Sequence, residues 1–582
     1  MIGVAPTYSL PAVRRNRPPL RGAPTQNAPF TARVKTSSQP PSRPARLAHG
    51  ATILPLLLVG ACVSPDEYLE QADAEVYSLI DARRSALFDE AGGFRLEPPT
   101  DSLRQSILRG EWESDVPISL THAIDIAAEN NRDFQARKEG LYVSALDVTL
   151  ERWRLSNRPA ASFNAAASGV GDESAEVDVG GRASLSRVLG SGASIVTDIG
   201  AGLFRVVSTG DGWDAFSNIG FSITQPLLRG GGKRITLEPL TQAERDLVYE
   251  VRDFERFRRT FVVDVADEVY DLLQRIDELE NEERTYDNLV ALRERNQALA
   301  LAGRMSDIEA DQARQDELQS ENRLLALRAG LERRRDDFNL FLGLPIETRI
   351  ALDPAEFERL SGEDPLLELI DADSAAELAL AQRLDHLTSR DVLEDAQRSV
   401  EIARDALRAG LDLSVSVRSD APEGRPASFR LDDTSWSAGL GLDLPIDRIP
   451  ERNSYRRSLI TLEATRRDVE READQIRVNV RDAVRRTLNA RASYELQTGA
   501  VALAERRVES ANLNLEAGRA STRDVLDAQD DLLQARNAAT SELVNFTLTR
   551  LDLYLELEAL RVGDEGWTID PTLVNGLLEG EQ

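Results

Sequence analysis

Few residues in this 582-residue chain invite chemistry, and they do so in isolation. Gly230-Gly231-Gly232-Lys233-Arg234 looks like a phosphate-binding loop. Arg234, however, stands where Ser or Thr would reach magnesium, and Leu227 replaces the first glycine. The run reads instead as a strand-to-helix transition. His49, His122 and His386 are the only histidines, with no ligand cluster of matching spacing around them. The single cysteine, Cys62, rules out a disulfide framework and a Cys-based zinc site. Paired carboxylates occur throughout, and none stands out from a helical background. The expectation is therefore no catalytic residue, no cofactor, no metal and no enzyme. Two other groupings are more specific. Asp524 and Asp527, three residues apart, share one helix face, where acids also favour a helix N-terminal dipole. Gly303-Arg304 and Gly518-Arg519 pair a residue that permits chain reversal with one that binds acceptors.

The charge is distributed in blocks. The chain has 70 basic and 99 acidic side chains, and residues 1–65 hold eight of the basic ones and no acid. The remainder carries 62 basic against 99 acidic residues, a surface that repels phosphate backbones and excludes nucleic acid as a partner. No run of 18 apolar residues exists, so no membrane-spanning helix is expected. Aromatic residues make up 5% of the chain, thin for several compact cores, and favour an elongated protein.

The N-terminus reads as an address. Residues 1–50 are rich in Pro, Arg and Ser, a disordered composition. A short apolar run, Ile53 to Val59, then leads to Val59-Gly60-Ala61-Cys62, which resembles a bacterial lipobox whose cysteine is lipidated after cleavage. Acyl chains at Cys62, at about 0.8 kcal/mol per buried CH₂, would anchor the protein without spanning the bilayer. The leader is long for a signal, which places the true start nearer Val34 or beyond.

The elements that carry the two Gly-Arg pairs recur in order. A helix is expected from Ile118 to about Ser156, stopped by Asn157-Arg158-Pro159. Strands follow within 160–225, with Ser217–Gln225 alternating over a length that crosses a tilted bilayer. Ala183–Leu189 and Ala193–Phe204 flank a Leu189-Gly190-Ser191-Gly192 turn. A helix with Leu247, Val251, Phe254, Phe261, Val265, Val269 and Leu272 on one stripe runs from about Thr236 to Ala302, on the order of 100 Å. A return helix spans Ile308 to Leu342. The programme repeats: Ala379–Asp385 aligns with Ala127–Asp133 at an offset of 252 residues, followed by strands at Leu411–Val417 and Trp436–Leu444, a long helix through Val469, Ile476, Val480, Val484 and Leu488, and a return helix through Val525 to Phe546.

These residues, with Ile118-Ser119-Leu120, Gln225-Pro226-Leu227-Leu228-Arg229-Gly230 and Asp524-Val525-Leu526-Asp527-Ala528-Gln529, resemble the TolC-like outer membrane efflux protein family in its lipoprotein branch. The resemblance covers roughly Ile118 to Leu560. It implies a mainly α fold with a β-barrel part: a homotrimer with a long-helix α-barrel across the periplasm and a shared transmembrane β-barrel. It implies four strands per protomer and twelve in the barrel; this chain departs from that pattern, since 160–225 is much longer than the second strand region and reads as containing an extra hairpin that either joins the barrel or caps it outside. It also implies an outer membrane exit duct for efflux or type I secretion, passive, working with a periplasmic adaptor (membrane fusion) protein and an inner-membrane pump. Gly303, Arg304, Gly518 and Arg519 would be the adaptor-contact tips. Asp524 and Asp527 would line the periplasmic aperture, where a threefold axis multiplies each into a ring that attracts cations. The alternative is a lipid-anchored periplasmic coiled-coil scaffold without a pore. The organisation expected is 1–61 leader and signal, 62–117 extension, 118–345 first repeat, 346–371 linker, 372–562 second repeat and 563–582 tail.

Overall fold

Behind a first helix, α1 (Pro65–Phe88), the helix expected from Ile118 to Ser156 turns out to be two. Helix α2 (Leu120–Asn130) and α3 (Arg132–Leu155) meet at Asn131, whose backbone is extended. The cause is local. Asn131 Oδ1 accepts from the amides of Asp133 (2.8 Å) and Phe134 (3.0 Å), while its Nδ2 donates to the Phe341 carbonyl at 2.7 Å. A short polar side chain that caps a new helix competes with continuing the old one. The computed structural model describes residues 64–570, except 89–92, 98–101, 112–116, 171–173, 207–211, 361–369, 423–424, 426–427 and 564–565. Cys62 lies outside the described residues.

From α3 the chain enters four antiparallel strands, β1 (Arg158–Val170), β2 (Ser174–Val188), β3 (Ser194–Val206) and β4 (Asp214–Pro226). It then runs through α4 (Glu238–Leu301) and returns along α5 (Asp307–Phe341). At about 1.5 Å per residue the 64 residues of α4 extend close to 100 Å. The second half repeats the order with fewer strands: α6 (Ala372–Gln382), α7 (Leu384–Asp405), β5 (Gly410–Asp420), β6 (Thr434–Asp443), α8 (Ile449–Glu516) and α9 (Thr522–Glu556). Arg383 breaks α6 from α7, 252 residues after Asn131 breaks α2 from α3. Arg383 does not cap. Its guanidinium pairs with Asp385 (2.7 Å) and with Glu556, and Asp385 in turn accepts the His386 amide at 2.8 Å.

All six strands form one sheet in chain order, β1-β2-β3-β4-β5-β6. The first half thus contributes four and the second two, against the four per protomer that the family pattern implies. A short hairpin, β7 (Leu560–Gly563) with β8 (Gly566–Ile569), follows α9 and runs across the 562/563 boundary. The fold is mainly α with an antiparallel β part.

The core sits where the helices converge. Leu247, Val251, Phe254, Phe261, Val265, Val269 and Leu272 of α4 are all buried, so the stripe read from the sequence is the face that packs. Phe134, Phe254, Phe257, Phe261 and Phe341 form a chain of ring contacts with centroids 5.0–5.9 Å apart, tying α3, α4 and α5 together. Each such buried side chain stabilises by roughly 1.5–3 kcal/mol. On α8 Ile476, Val480 and Val484 are buried, but Leu488 is exposed, and Thr487 and Ala490 take the inward places beside it. Thr487 fits because its hydroxyl donates to the Ala483 and Thr549 carbonyls.

Candidate functional site

The two helix reversals are built identically. Gly303 and Gly518 both adopt φ +66°, a left-handed conformation that costs other residues about 1–2 kcal/mol. At the first, Arg304 N donates to Leu299 O and Gly303 N to Ala300 O, both 2.9 Å. At the second, Arg519 N donates to Asn514 O (2.8 Å) and Gly518 N to Leu515 O (3.0 Å). These paired bonds close the last turn of each outgoing helix. Each return helix then opens with a capping box. Ser306 N donates to Glu309 Oε2 (3.2 Å) and Glu309 N to Ser306 Oγ (3.3 Å). Ser521 N donates to Asp524 Oδ2 (2.8 Å) and Asp524 N to Ser521 Oγ (3.4 Å). The capping role of Ser306, Glu309 and Ser521 escaped the sequence reading, although Ser-x-x-Glu/Asp after a Gly-Arg turn is a legible signal. Gly303, Arg304, Gly518 and Arg519 are exposed, as are Leu301, Ile308 and Leu513 beside them.

Asp524 therefore has a structural task. Hydrogen bonds from the Ser521 amide and hydroxyl hold its carboxyl below the usual range. Asp527 shares that face, is exposed, and lies 3.9 Å from Arg523. The structure adds Asp316 of α5, which the sequence reading missed because it lies 211 positions before Asp527. Burial pushes the Asp316 carboxyl up, Arg323 and Arg523 pull it down, and Asp527 and Asp530 push it up again. Beneath these acids Asn296 Nδ2 donates to Thr522 Oγ1 (3.0 Å), and Leu289, Leu292, Val525 and Leu526 pack together, fastening α4 to α9.

The sheet has two chemically distinct faces. One residue row crosses all six strands as Pro159, Leu185, Thr197, Phe221, Val417 and Trp436. The row beside it, pointing the other way, reads Arg158, Ser186, Val196, Ser222, Ser416 and Ser437. Phe163, Ile199, Leu203, Ile219, Leu440 and Leu442 also lie on the first face and are exposed. On the second, Arg182 pairs with Asp198 at 2.9 Å, Asn218 Nδ2 donates to Asp198 (3.3 Å) and Asn164 Nδ2 to Asp178 (3.1 Å).

Of the residues first inspected for chemistry, the glycine run, His122 and His386 sit in turns and packing, and His49 lies outside the described residues. Gly230 N donates to Asp405 Oδ2 (2.8 Å) and Gly232 N to Ser191 O (3.0 Å), so the glycine run is held as a strand exit. His122 sits at the start of α2, its amide donating to the Ser119 hydroxyl. His386 is buried, its Nδ1 lying 3.9 Å from Glu472. Among the described residues no group of His, Cys, Asp and Glu is arranged to hold a metal ion, and no helix is long and apolar enough to cross a membrane.

Residues 375–559 match the family model described as outer membrane efflux protein. Several solved structures share the fold, CusC, VceC and CmeC among them. CusC does so with TM-score 0.57 and 15% identity, over 76% of this chain and 92% of that one. VceC of Vibrio cholerae scores 0.54 at 15% identity, over 75% and 95%, and the Campylobacter jejuni CmeC outer membrane channel 0.56 at 13%, over 77% and 89%. No curated protein matches the sequence. The resemblance drawn from the residues stands.

Proposed function

We propose that this chain, which resembles the outer membrane efflux proteins, is the outer membrane exit duct of a tripartite efflux or type I secretion system. Three copies close around one axis, the sheets forming the wall in the outer membrane and the long hairpins lining a periplasmic tunnel. The observation that carries this reading is the two-faced sheet joined at one end to two long helical hairpins. An apolar face of exposed Phe, Ile, Leu and Trp backed by Arg, Asp and Ser suits lipid on one side and water on the other. A periplasmic scaffold without a pore has no use for it.

The remaining assignments follow from this reading. The tips Gly303-Arg304 and Gly518-Arg519 meet a periplasmic adaptor, which couples the duct to an inner-membrane pump. Asp524 and Asp527 line the aperture as rings, Asp524 also stiffening the mouth through its capping box. Cys62 carries the lipid anchor. Conduction is passive, and the 62:99 balance of basic to acidic residues after residue 65 suits a cation-tolerant lining. The test is planar-bilayer conductance of the purified full chain. The wild type should pass current with a cation preference, and Asp524→Ala combined with Asp527→Ala should raise conductance and weaken that preference. A chain that forms no channel refutes the duct. A channel indifferent to both substitutions removes the aperture role alone.

A further inference from the structure

The extra hairpin of the first half raises the question of where it goes in the assembly. We infer that all six strands of each chain enter the wall, with β6 of one copy hydrogen-bonded to β1 of the next, so that three copies close a barrel of eighteen strands. This rests on the trimeric duct proposed above.

Four observations carry it. Pairing is unbroken from Arg158↔Ser186 to Val170↔Ser174 and from Glu176↔Val206 to Val188↔Ser194, so β1 and β2 continue the ladder and do not fold over it. Both faces run through the added strands without inversion: Phe163 and Leu185 stand on the apolar face, Arg182 and Asp178 on the polar one with Asp198 and Arg418. A hairpin lying outside the wall would put those charges into lipid, at roughly 2–4 kcal/mol for a mid-bilayer arginine. Among the described residues the outer edges of β1 and β6, thirteen and ten residues long, have no partner strand. Bare amides and carbonyls cost several kcal/mol each in hydrocarbon, so both edges require a partner strand. Finally, six strands alternate in direction, so β6 meets the β1 of a neighbour antiparallel, as a closed transmembrane barrel needs. A second copy of this chain supplies that edge with matching faces.

Barrel diameter grows about linearly with strand number, so eighteen strands give an opening roughly half as wide again as twelve. Barrels of about that size leave a water-filled channel. The exit is then wide independently of the periplasmic mouth, which the helices set.

Cysteine cross-linking of the full chain in native membranes tests this. Ser162→Cys on β1 combined with Ser435→Cys or Ser437→Cys on β6 should convert most of the protein into covalent dimer and trimer bands, and neither single variant should. If particles are trimeric but only Val196→Cys on β3 links to Ser437→Cys, the added hairpin lies outside the wall. The inference then falls while the duct stands. If the native mass is not trimeric and neither pair links, both fall. Electron cryomicroscopy of the unmodified chain in lipid nanodiscs provides a count that needs no substitution: eighteen strands support the inference and twelve overturn it.

Discussion

Helices α4 and α8 occupy the same place in two copies of one programme, yet they meet opposite fates. Helix α4 is clasped by α3, α5 and α9 of its own chain and buries its full apolar stripe. Helix α8 packs on α6, α7 and α9, and the largest side chains it buries are Ile476, Val480 and Val484. Elsewhere it displays Ile460, Val478, Leu496, Leu503 and Leu513, each more than half exposed. Those positions fall on one side of the helix at 3.6 residues per turn. The halves have divided their labour. The first holds the chain together, and the second presents a lateral apolar surface, which is what the proposed trimer needs.

The largest effect expected from this contrast is on assembly. Leu496→Glu with Leu503→Glu should shift the purified protein from trimer to monomer in light scattering, since each seated leucine contributes roughly 1.5–3 kcal/mol at every interface and a buried carboxylate opposes it. An unchanged trimer mass would remove α8 from the interface.

A smaller effect separates the two helix breaks. Arg383→Met removes the guanidinium that bonds Asp385 and Glu556, leaving Asp385 only Arg256, and should cost about 1.5–3 kcal/mol of unfolding stability, against about 1 kcal/mol for Asn131→Ala, which removes a cap. Burial pushes the Asp385 carboxyl up, but hydrogen bonds from Arg383 and the nearby charge of Arg256 outweigh it and hold it below the usual range. Such a group contributes stability above its unfolded pKa that is lost as pH falls through its folded value. Unfolding of the wild type should therefore become easier on acidification below the ordinary aspartate range, and Arg383→Met should lose part of that dependence. Equal costs and equal pH profiles would show that the two breaks are held alike.

The smallest effect should be equal in both halves. Gly303→Ala and Gly518→Ala meet no neighbouring atom, so each loses only what φ +66° costs a side chain, about 1–2 kcal/mol. Hydrogen exchange of the tip amides reads this directly. A marked difference between the two would mean that the reversals are not equivalent.

What the sequence made legible were features with strong period or punctuation. The long helices were visible because Leu247 to Leu272 keeps one stripe, and their ends because Gly303 and Gly518 punctuate them. Strand β1 was not visible. Its Ala160-Ala161-Ser162 and Ala165-Ala166-Ala167-Ser168 barely alternate, and its conformation comes from pairing with β2. The break at Asn131 was hidden because the apolar spacing continues across it, and only the side chain's bonds to Asp133 and Phe134 reveal the cap. Local spacing showed the Gly-Arg turns and the shared face of Asp524 and Asp527, their proposed roles came from the family resemblance, and Asp316 needed the fold to bring it near. The family match falls on 375–559, the half without the added strands.

The bare borders of the sheet have a kinetic corollary. A lone subunit cannot rest in hydrocarbon with two unsatisfied backbone margins. For the proposed trimeric duct, membrane entry and oligomerisation then become one concerted event, and the yield of assembled protein should rise steeply with subunit concentration.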